Sequence, residues 1–283
     1  MSKVLIEYKV RWRPSGHRPG SNKGLVAGIG DHLRSLVLLR DYPDPKRLDL
    51  RASLKDPFSQ LWVRDFYINA ALKLIVLVDF SASMDFQGKV SRKEVMVDIA
   101  SQLAAAAYKS GDAFGLYAAN AEIIKALTLP PRVNRTAWLW LKQKFELVQP
   151  SGGSVDGLIN VAGQLPKHRC LVFVISDFRW KAGKLESLFK KIGHHDVIPV
   201  LLKDASEDLA LPKKGIAILK DMETHGLRFV WMRESLRNAI QKIRLAHQNH
   251  LTTVSRNFGT NPFVVVGEFE PERMTKYFME RRV

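Results

Sequence analysis

Two aspartates and three serines carry most of the chemistry this chain can offer. Asp79, Ser81 and Ser83 alternate near the end of LKLIVLVDFSASM (residues 72–84), while Ser154 lies in the turn PSGGS and Asp177 ends CLVFVISD. All five donors are hard oxygens, a set suited to Mg2+ or a similar cation that keeps some of its waters. D-x-S-x-S alone also fits a turn in which Asp and Ser satisfy their own backbone amides. The argument for a metal is the repetition: a second buried run ends in a second aspartate, with a hydroxyl at a helix start between them.

The elements that must position these residues can be read from the pattern. Residues 72–79 and 170–177 are near-continuous apolar runs, too short for a membrane, as expected of strands buried on both faces of a parallel sheet. Strand and helix alternate from residue 72 onward, predicting an α/β, doubly wound, mostly parallel sheet, whose ligands sit beyond the carboxyl ends of its strands. Strands are expected at residues 113–119, 123–127, 197–202 and 263–266. A capping box at Ser91 and Glu94 should open a helix with Val95, Ile99, Leu103 and Ala106 on one face. Further helices are expected over residues 136–145, 155–163 and 234–254, around Leu185, Leu188, Phe189 and Ile192, and from Pro271. The long one should turn Leu236, Ile240, Ile243 and Leu251 inward. GIAILKDMETHGLRFVWM reads as a hairpin turning at Thr224–Gly226, at a sheet edge.

Residues 1–70 differ. IEYKVRWR alternates like a half-buried strand, and strand-like runs follow at residues 36–39, 48–54 and 61–67 between DYPDPK and KDPF turns. The expected division is an N-terminal β-rich basic extension (residues 1–70) on a main domain with C-terminal helices (residues 71–283).

Composition narrows the partners. The 283 residues carry a net charge of +16, so the partner should be acidic: a protein segment, nucleic acid or an anionic lipid surface. KVRWR interleaves basic and aromatic residues, and Arg233, Arg237, Lys242, Arg244 and Arg256 lie on the long helix, but no nucleic-acid motif appears and such faces are usually just solvated. The single cysteine, Cys170, excludes an internal disulfide and fits a buried apolar role in a reducing compartment. The N-terminal stretch lacks a signal-peptide core and no window suits a transmembrane helix, so the expected location is cytoplasmic, with peripheral membrane contact left open.

Catalysis is not expected. Aspartyl phosphatases place a second carboxylate two residues after the first, where this chain has Ser81, a poor proton carrier at neutral pH. There is no G-x-S-x-G elbow, and GLVAGIG lacks the Lys-Ser/Thr ending of a P-loop. His194, His195 and Asp196 fall at a helix-to-strand junction without a second ligand pair of zinc spacing.

DFSAS with Ser154 and Asp177 resembles the metal-ion-dependent adhesion site (MIDAS) of von Willebrand factor A-type domains. The resemblance implies that Asp79, Ser81, Ser83, Ser154 and Asp177 bind Mg2+ or Mn2+ and that a partner's carboxylate completes the coordination. Ser154 stands where the family usually has threonine. More narrowly, YKVRWRPSG, YPDPKRLDLRASLKDPF, VDFSASM, SGDAFGL, SGGS, VISDF, HDVIPVLL and KDMETHG resemble, in the same order, the MoxR-associated domain-of-unknown-function family number fifty-eight. That likeness implies a MoxR-type AAA+ ATPase as partner and an acidic segment of a client protein as ligand. RLDLRASLKDPF resembles the MxaS-like methanol-oxidation branch, implying a part in maturing methanol dehydrogenase, metal loading included. Around the site, Met84, Phe86, Phe178, Arg179 and Trp180 are interface-type residues that either form a gripping rim or pack beneath the site.

Overall fold

A computed structural model describes residues 5–10, 12–14, 19–28, 32–181, 183–204, 215–220 and 227–281. The chain divides into two compact units, one of residues 9–72 with 110–112, the other of the remainder.

The larger unit is built on a six-stranded sheet of β4 (Lys73–Asp79), β5 (Ala113–Ala119), β6 (Ile123–Arg132), β7 (Leu171–Ser176), β8 (Asp196–Lys203) and β11 (Phe263–Val266). Its order is β11-β8-β7-β4-β5-β6. Every pairing is parallel except that of β5 with β6. The chain leaves β4 toward β5 on one side and returns to its other side with β7, so the order reverses between β4 and β7. This is the doubly wound, mostly parallel arrangement expected, and the β4/β7 crevice is its topological switch point.

The helices are α2 (Arg92–Lys109), α3 (Ala137–Glu146), α4 (Asp156–Ala162), α5 (Lys184–Ile192), α6 (Glu234–Asn257) and α7 (Pro271–Glu280), following the short α1 (Leu50–Lys55) of the smaller unit. On one sheet face Ile75, Leu77, Val172 and Val174 pack with Leu158 of α4, Leu188 and Phe189 of α5, and Leu251 and Val254 of α6. Phe173, of the opposite parity, meets Phe278 of α7 with ring centroids 6.1 Å apart. Strands covered on both faces need apolar residues at every position, which is why β4 and β7 read as unbroken runs.

The smaller unit is a three-stranded antiparallel sheet, β1 (Pro19–Gly28), β3 (Trp62–Ala70) and β2 (His32–Leu38), with β3 central, and α1. Several expectations are corrected. The run expected as a strand at 48–54 is mostly α1, because Asp49 caps it: Asp49 Oδ1 accepts from Ala52 N–H at 3.0 Å. IEYKVRWR forms no strand among its described residues; Tyr8 instead packs on Phe278, and Arg11 lies outside the described residues. The hairpin strands β9 (Gly215–Lys220) and β10 (Leu227–Met232) make a two-stranded sheet of their own rather than an edge of the main one. Their turn at 224–226 lies outside the described residues. On α6, Leu251 is buried as expected, whereas Ile243 is 58% exposed.

Candidate metal centre

Asp79 ends β4 and is fully buried. Three donors hold its carboxylate: Ser81 N–H at 3.0 Å on Oδ1, and on Oδ2 the Ser176 hydroxyl at 2.6 Å and the Trp180 indole N–H at 2.8 Å. Burial, and then the neighbouring charge of Asp177, push its pKa above the ordinary carboxylate range, while the hydrogen bonds oppose that shift. Ser176, the last residue of β7, was missed in the sequence because it reads as part of an apolar run. Its position just before Asp177, at the end of a strand adjacent to Asp79, is the signal that could have found it.

The Ser81 and Ser83 hydroxyl oxygens lie 3.2 Å apart. They are hydrogen-bonded to each other, at a separation close to the about 3.0 Å between adjacent ligands of an octahedral Mg2+ with bonds near 2.1 Å. Among the described residues no three His, Cys, Asp or Glu side chains gather as a metal nest. A cation here would therefore depend on hydroxyls and two carboxylates, which is the hard, sparsely charged donor set that Mg2+ or Mn2+ accepts.

Asp177 is buried at the start of the loop after β7, and Arg92, the first residue of α2, meets it: Arg92 Nη1 donates to Asp177 Oδ2 at 3.1 Å. The same nitrogen donates to the Ser83 carbonyl at 2.9 Å, and the guanidinium lies over the Phe86 ring at 4.8 Å. Burial lowers the Arg92 pKa to about 10, which leaves it charged at neutral pH. Nothing in the sequence marked Arg92, since an arginine at a helix start normally reads as a solvated residue.

The Ser154 loop is tied to the Asp79 loop through its backbone: Ala82 N–H donates to the Gly152 carbonyl at 2.8 Å, and Ser151 N–H to the Phe80 carbonyl at 3.0 Å. Gly152 has φ +76°, and a Cβ on Gly157 would stand 2.7 Å from the Glu122 backbone, so both glycines are required where they are. The Ser154 hydroxyl itself turns elsewhere. It donates to Asp156 Oδ2 at 2.7 Å, and Asp156 is paired with Lys184. Those two contacts, Lys184 first, hold the Asp156 pKa low. The structure thus gathers Asp79, Ser81, Ser83 and Asp177 at the switch point and leaves Ser154 beside them with its hydroxyl committed to Asp156.

The five interface-type residues around the site separate. Met84 is fully buried and Phe178 nearly so, which makes them packing beneath the site. Phe178 has φ 52°, a left-handed conformation that is costly for a bulky residue and recurs at functional loops. Phe86 and Trp180 are half-buried, with Phe86 under Arg92 and Trp180 stacked near Phe178 with centroids 5.0 Å apart. Arg179 is exposed, though its N–H donates to Asp177 Oδ1 at 3.2 Å. Beside Asp177 a groove of ≈ 590 Å³ opens between the end of β8 and α6, lined among others by Arg179, Leu201, Ile240, Ile243 and Arg244. The exposure of Ile243 is explained by this groove.

The model of the family described as protein of unknown function DUF58 matches residues 46–250, well over half of the chain and a span within which all five proposed ligands fall. The chain belongs to this family. An uncharacterized protein of Mycobacterium tuberculosis, Rv1480, is 23% identical over 258 residues, covering 90% of this chain and 80% of that protein. An uncharacterized protein in the moxR 3' region of Paracoccus denitrificans is 37% identical over 70 residues, 25% of this chain and 67% of that protein. Among solved structures, BatB from Bacteroides thetaiotaomicron aligns with TM-score 0.49 at 15% identity, covering 75% of this chain and 98% of that one. A mussel byssus matrix protein solved with a zinc-occupied MIDAS motif aligns with TM-score 0.40 at 14% identity, covering 74% of this chain and 46% of that one.

No helix among the described residues is long and apolar enough to cross a membrane. His195 is engaged at the opposite end of the sheet, where its Nδ1 accepts from Cys170 N–H at 3.3 Å. Burial lowers the His195 pKa to about 4 and raises that of the Cys170 thiol to about 11.

Proposed function

We propose that the protein is a non-catalytic, metal-ion-dependent binding adaptor that works with a MoxR-type AAA+ ATPase and grips an acidic segment of a client. The observation that carries the reading is the pair of serine hydroxyls 3.2 Å apart beside two buried carboxylates at the switch point. Asp79, Ser81, Ser83 and Asp177 would hold Mg2+ or Mn2+, which when bound supplies an electrophilic centre able to take a carboxylate from outside. Ser154 joins this set by rotating its hydroxyl away from Asp156, which retains Lys184. Trp180 and Ser176 orient Asp79, and Arg179 with the adjoining groove receives the client's acidic chain.

Support for binding rather than hydrolysis comes from Asp79 itself. Two of its three hydrogen-bond donors, Ser176 and Trp180, share Oδ2, and the place of a second acid/base carboxylate is taken by Ser81. The ATPase partnership is supported by the Paracoccus relative in the moxR 3' region. That the client is methanol dehydrogenase, matured or metal-loaded with the adaptor's help, is supported by the RLDLRASLKDPF resemblance. The basic smaller unit adds electrostatic steering toward an acidic partner.

The test is a pull-down from lysate with wild-type protein in Mg2+, wild-type protein in EDTA, and Asp79→Ala in Mg2+. The ATPase and its client should be retained only in the first. Identical retention in all three would sink the metal-dependent reading.

A further inference from the structure

Arg92 is an unusual neighbour for a cation site, and its role deepens the metal reading above, on which this inference rests. Its side chain is 3% exposed and that of its partner Asp177 is 2% exposed. One guanidinium nitrogen bridges Asp177 and the Ser83 carbonyl, so it ties together two of the loops that carry proposed ligands. The planar group also lies over Phe86, an arrangement that an arginine satisfies and a lysine reproduces only in charge. A buried ion pair must offset the desolvation of both its charges, and each further buried charge adds to that cost. Here a second buried carboxylate, Asp79, and two hydroxyls stand in the same pocket.

We propose that Arg92 is a resident cation that sets the specificity of this site: it neutralises Asp177, weakens the pocket's hold on divalent ions, and fixes the charge that an incoming ligand meets. Arg179, 3.9 Å from Asp177, and the buried Asp204 also act on this guanidinium, so the charge that belongs to Arg92 is a difference: it makes the pocket, empty or loaded, one unit more positive than it would otherwise be. A loaded pocket that is one unit more positive favours a carboxylate over a neutral group. Without Arg92 it would have less electrostatic reason to choose an acidic segment. The tethered guanidinium thus trades metal affinity for anion selectivity.

The experiment is calorimetric titration of the full chain with Mg2+ and with Mn2+, for wild type, Arg92→Gln and Arg92→Lys, with folding checked by circular dichroism. Removing a like charge next to the ion should tighten binding at least about tenfold in Arg92→Gln, whereas Arg92→Lys should stay within about threefold of wild type. Binding in wild type with no gain in a folded Arg92→Gln overturns this inference alone. Failure of all three proteins to take either ion overturns the metal reading and this inference with it. Where Arg92→Gln does not fold, Arg92→Lys decides: an affinity within about threefold of wild type is expected for a charge role, and any larger change in either direction overturns it. A second readout uses Mn2+-loaded wild type and the proton relaxation of acetate and acetamide. Enhancement should be greater for acetate, and equal enhancement contradicts the proposed selectivity.

Discussion

The sheet carries a buried arginine–aspartate pair at each end, and the two differ in what surrounds them. At the carboxyl ends of the strands Arg92 meets Asp177; at the opposite ends Arg281, which follows α7, meets Asp196, the first residue of β8. Arg281 is packed over Tyr277 and Phe278, with its guanidinium carbon 5.8 and 5.7 Å from the ring centroids. Its pair fastens the last helix to the sheet. Arg92 has the same chemistry but shares its pocket with Asp79 and the Ser81 and Ser83 hydroxyls. A buried pair alone therefore does not mark a site; the extra carboxylate and the hydroxyls do.

The comparison breaks first at the structural end. Arg281→Met leaves Asp196 buried without its cation and should cost roughly 3–5 kcal/mol of stability. Urea unfolding with and without Mg2+ checks this, and the loss should be the same in both, since this pair lies away from the proposed site. A Mg2+-dependent rescue would show that the two ends are not independent.

The functional end should respond to metal instead. A ligand present at a hundred times its dissociation constant stabilises the native state by about 2.7 kcal/mol, so saturating Mg2+ should raise the melting temperature of the wild type and leave Asp79→Asn unmoved. Without metal, the stability of Asp79→Asn should lack the decline with rising pH that the wild type shows. The sign follows from the raised pKa: the folded protein holds the Asp79 proton more tightly than the unfolded chain, so stability falls as pH rises from the ordinary value of 3.8 through the raised one. Asparagine removes that decline. Strong destabilisation of the metal-free Asn variant would mean that Asp79 serves the fold more than the site.

His195 gives the other end an opposite pH response. Its pKa falls from 6.5 to about 4 on folding, so the unfolded chain binds the extra proton in that window and stability is lost as pH falls from 6.5 toward 4. Allowing for solvent screening, the loss is on the order of 1–2 kcal/mol. His195→Gln should flatten the stability–pH curve over this range, measured by denaturant midpoints.

Much of this frame was legible in the chain. The boundaries of β5 and β11 coincide with the apolar runs at 113–119 and 263–266, and Leu185, Leu188, Phe189 and Ile192 are all buried on α5. Such patterns are local consequences of two-sided or one-sided burial, so sequence displays them. Misreadings arose where a side-chain contact decides. Asp49 turned a strand-like run into a helix by capping it, and Asp156, two residues after Ser154, captured the hydroxyl expected at the metal. The S-V-D spacing could have signalled the second contact. Arg92 could not have been found this way, because its partner lies 85 residues away and meets it only once β4 and β7 are neighbours.

The smallest effect concerns Ser154. Lys184 and Asp156 form a half-exposed pair, worth about 0–1 kcal/mol, so Lys184→Met should barely alter stability. Its consequence for the site should be larger than its consequence for the fold. Without Lys184, Asp156 relies more on the Ser154 hydroxyl, and the rotation that would bring Ser154 to the metal becomes harder. Mg2+ affinity measured by calorimetry should fall about threefold, a change of roughly 0.6 kcal/mol, while Ser154→Ala should lose more and make the Lys184 substitution silent. If Lys184→Met still weakens Mg2+ binding in the Ser154→Ala background, Lys184 acts by a route other than the hydroxyl, and Ser154 drops out of the ligand set.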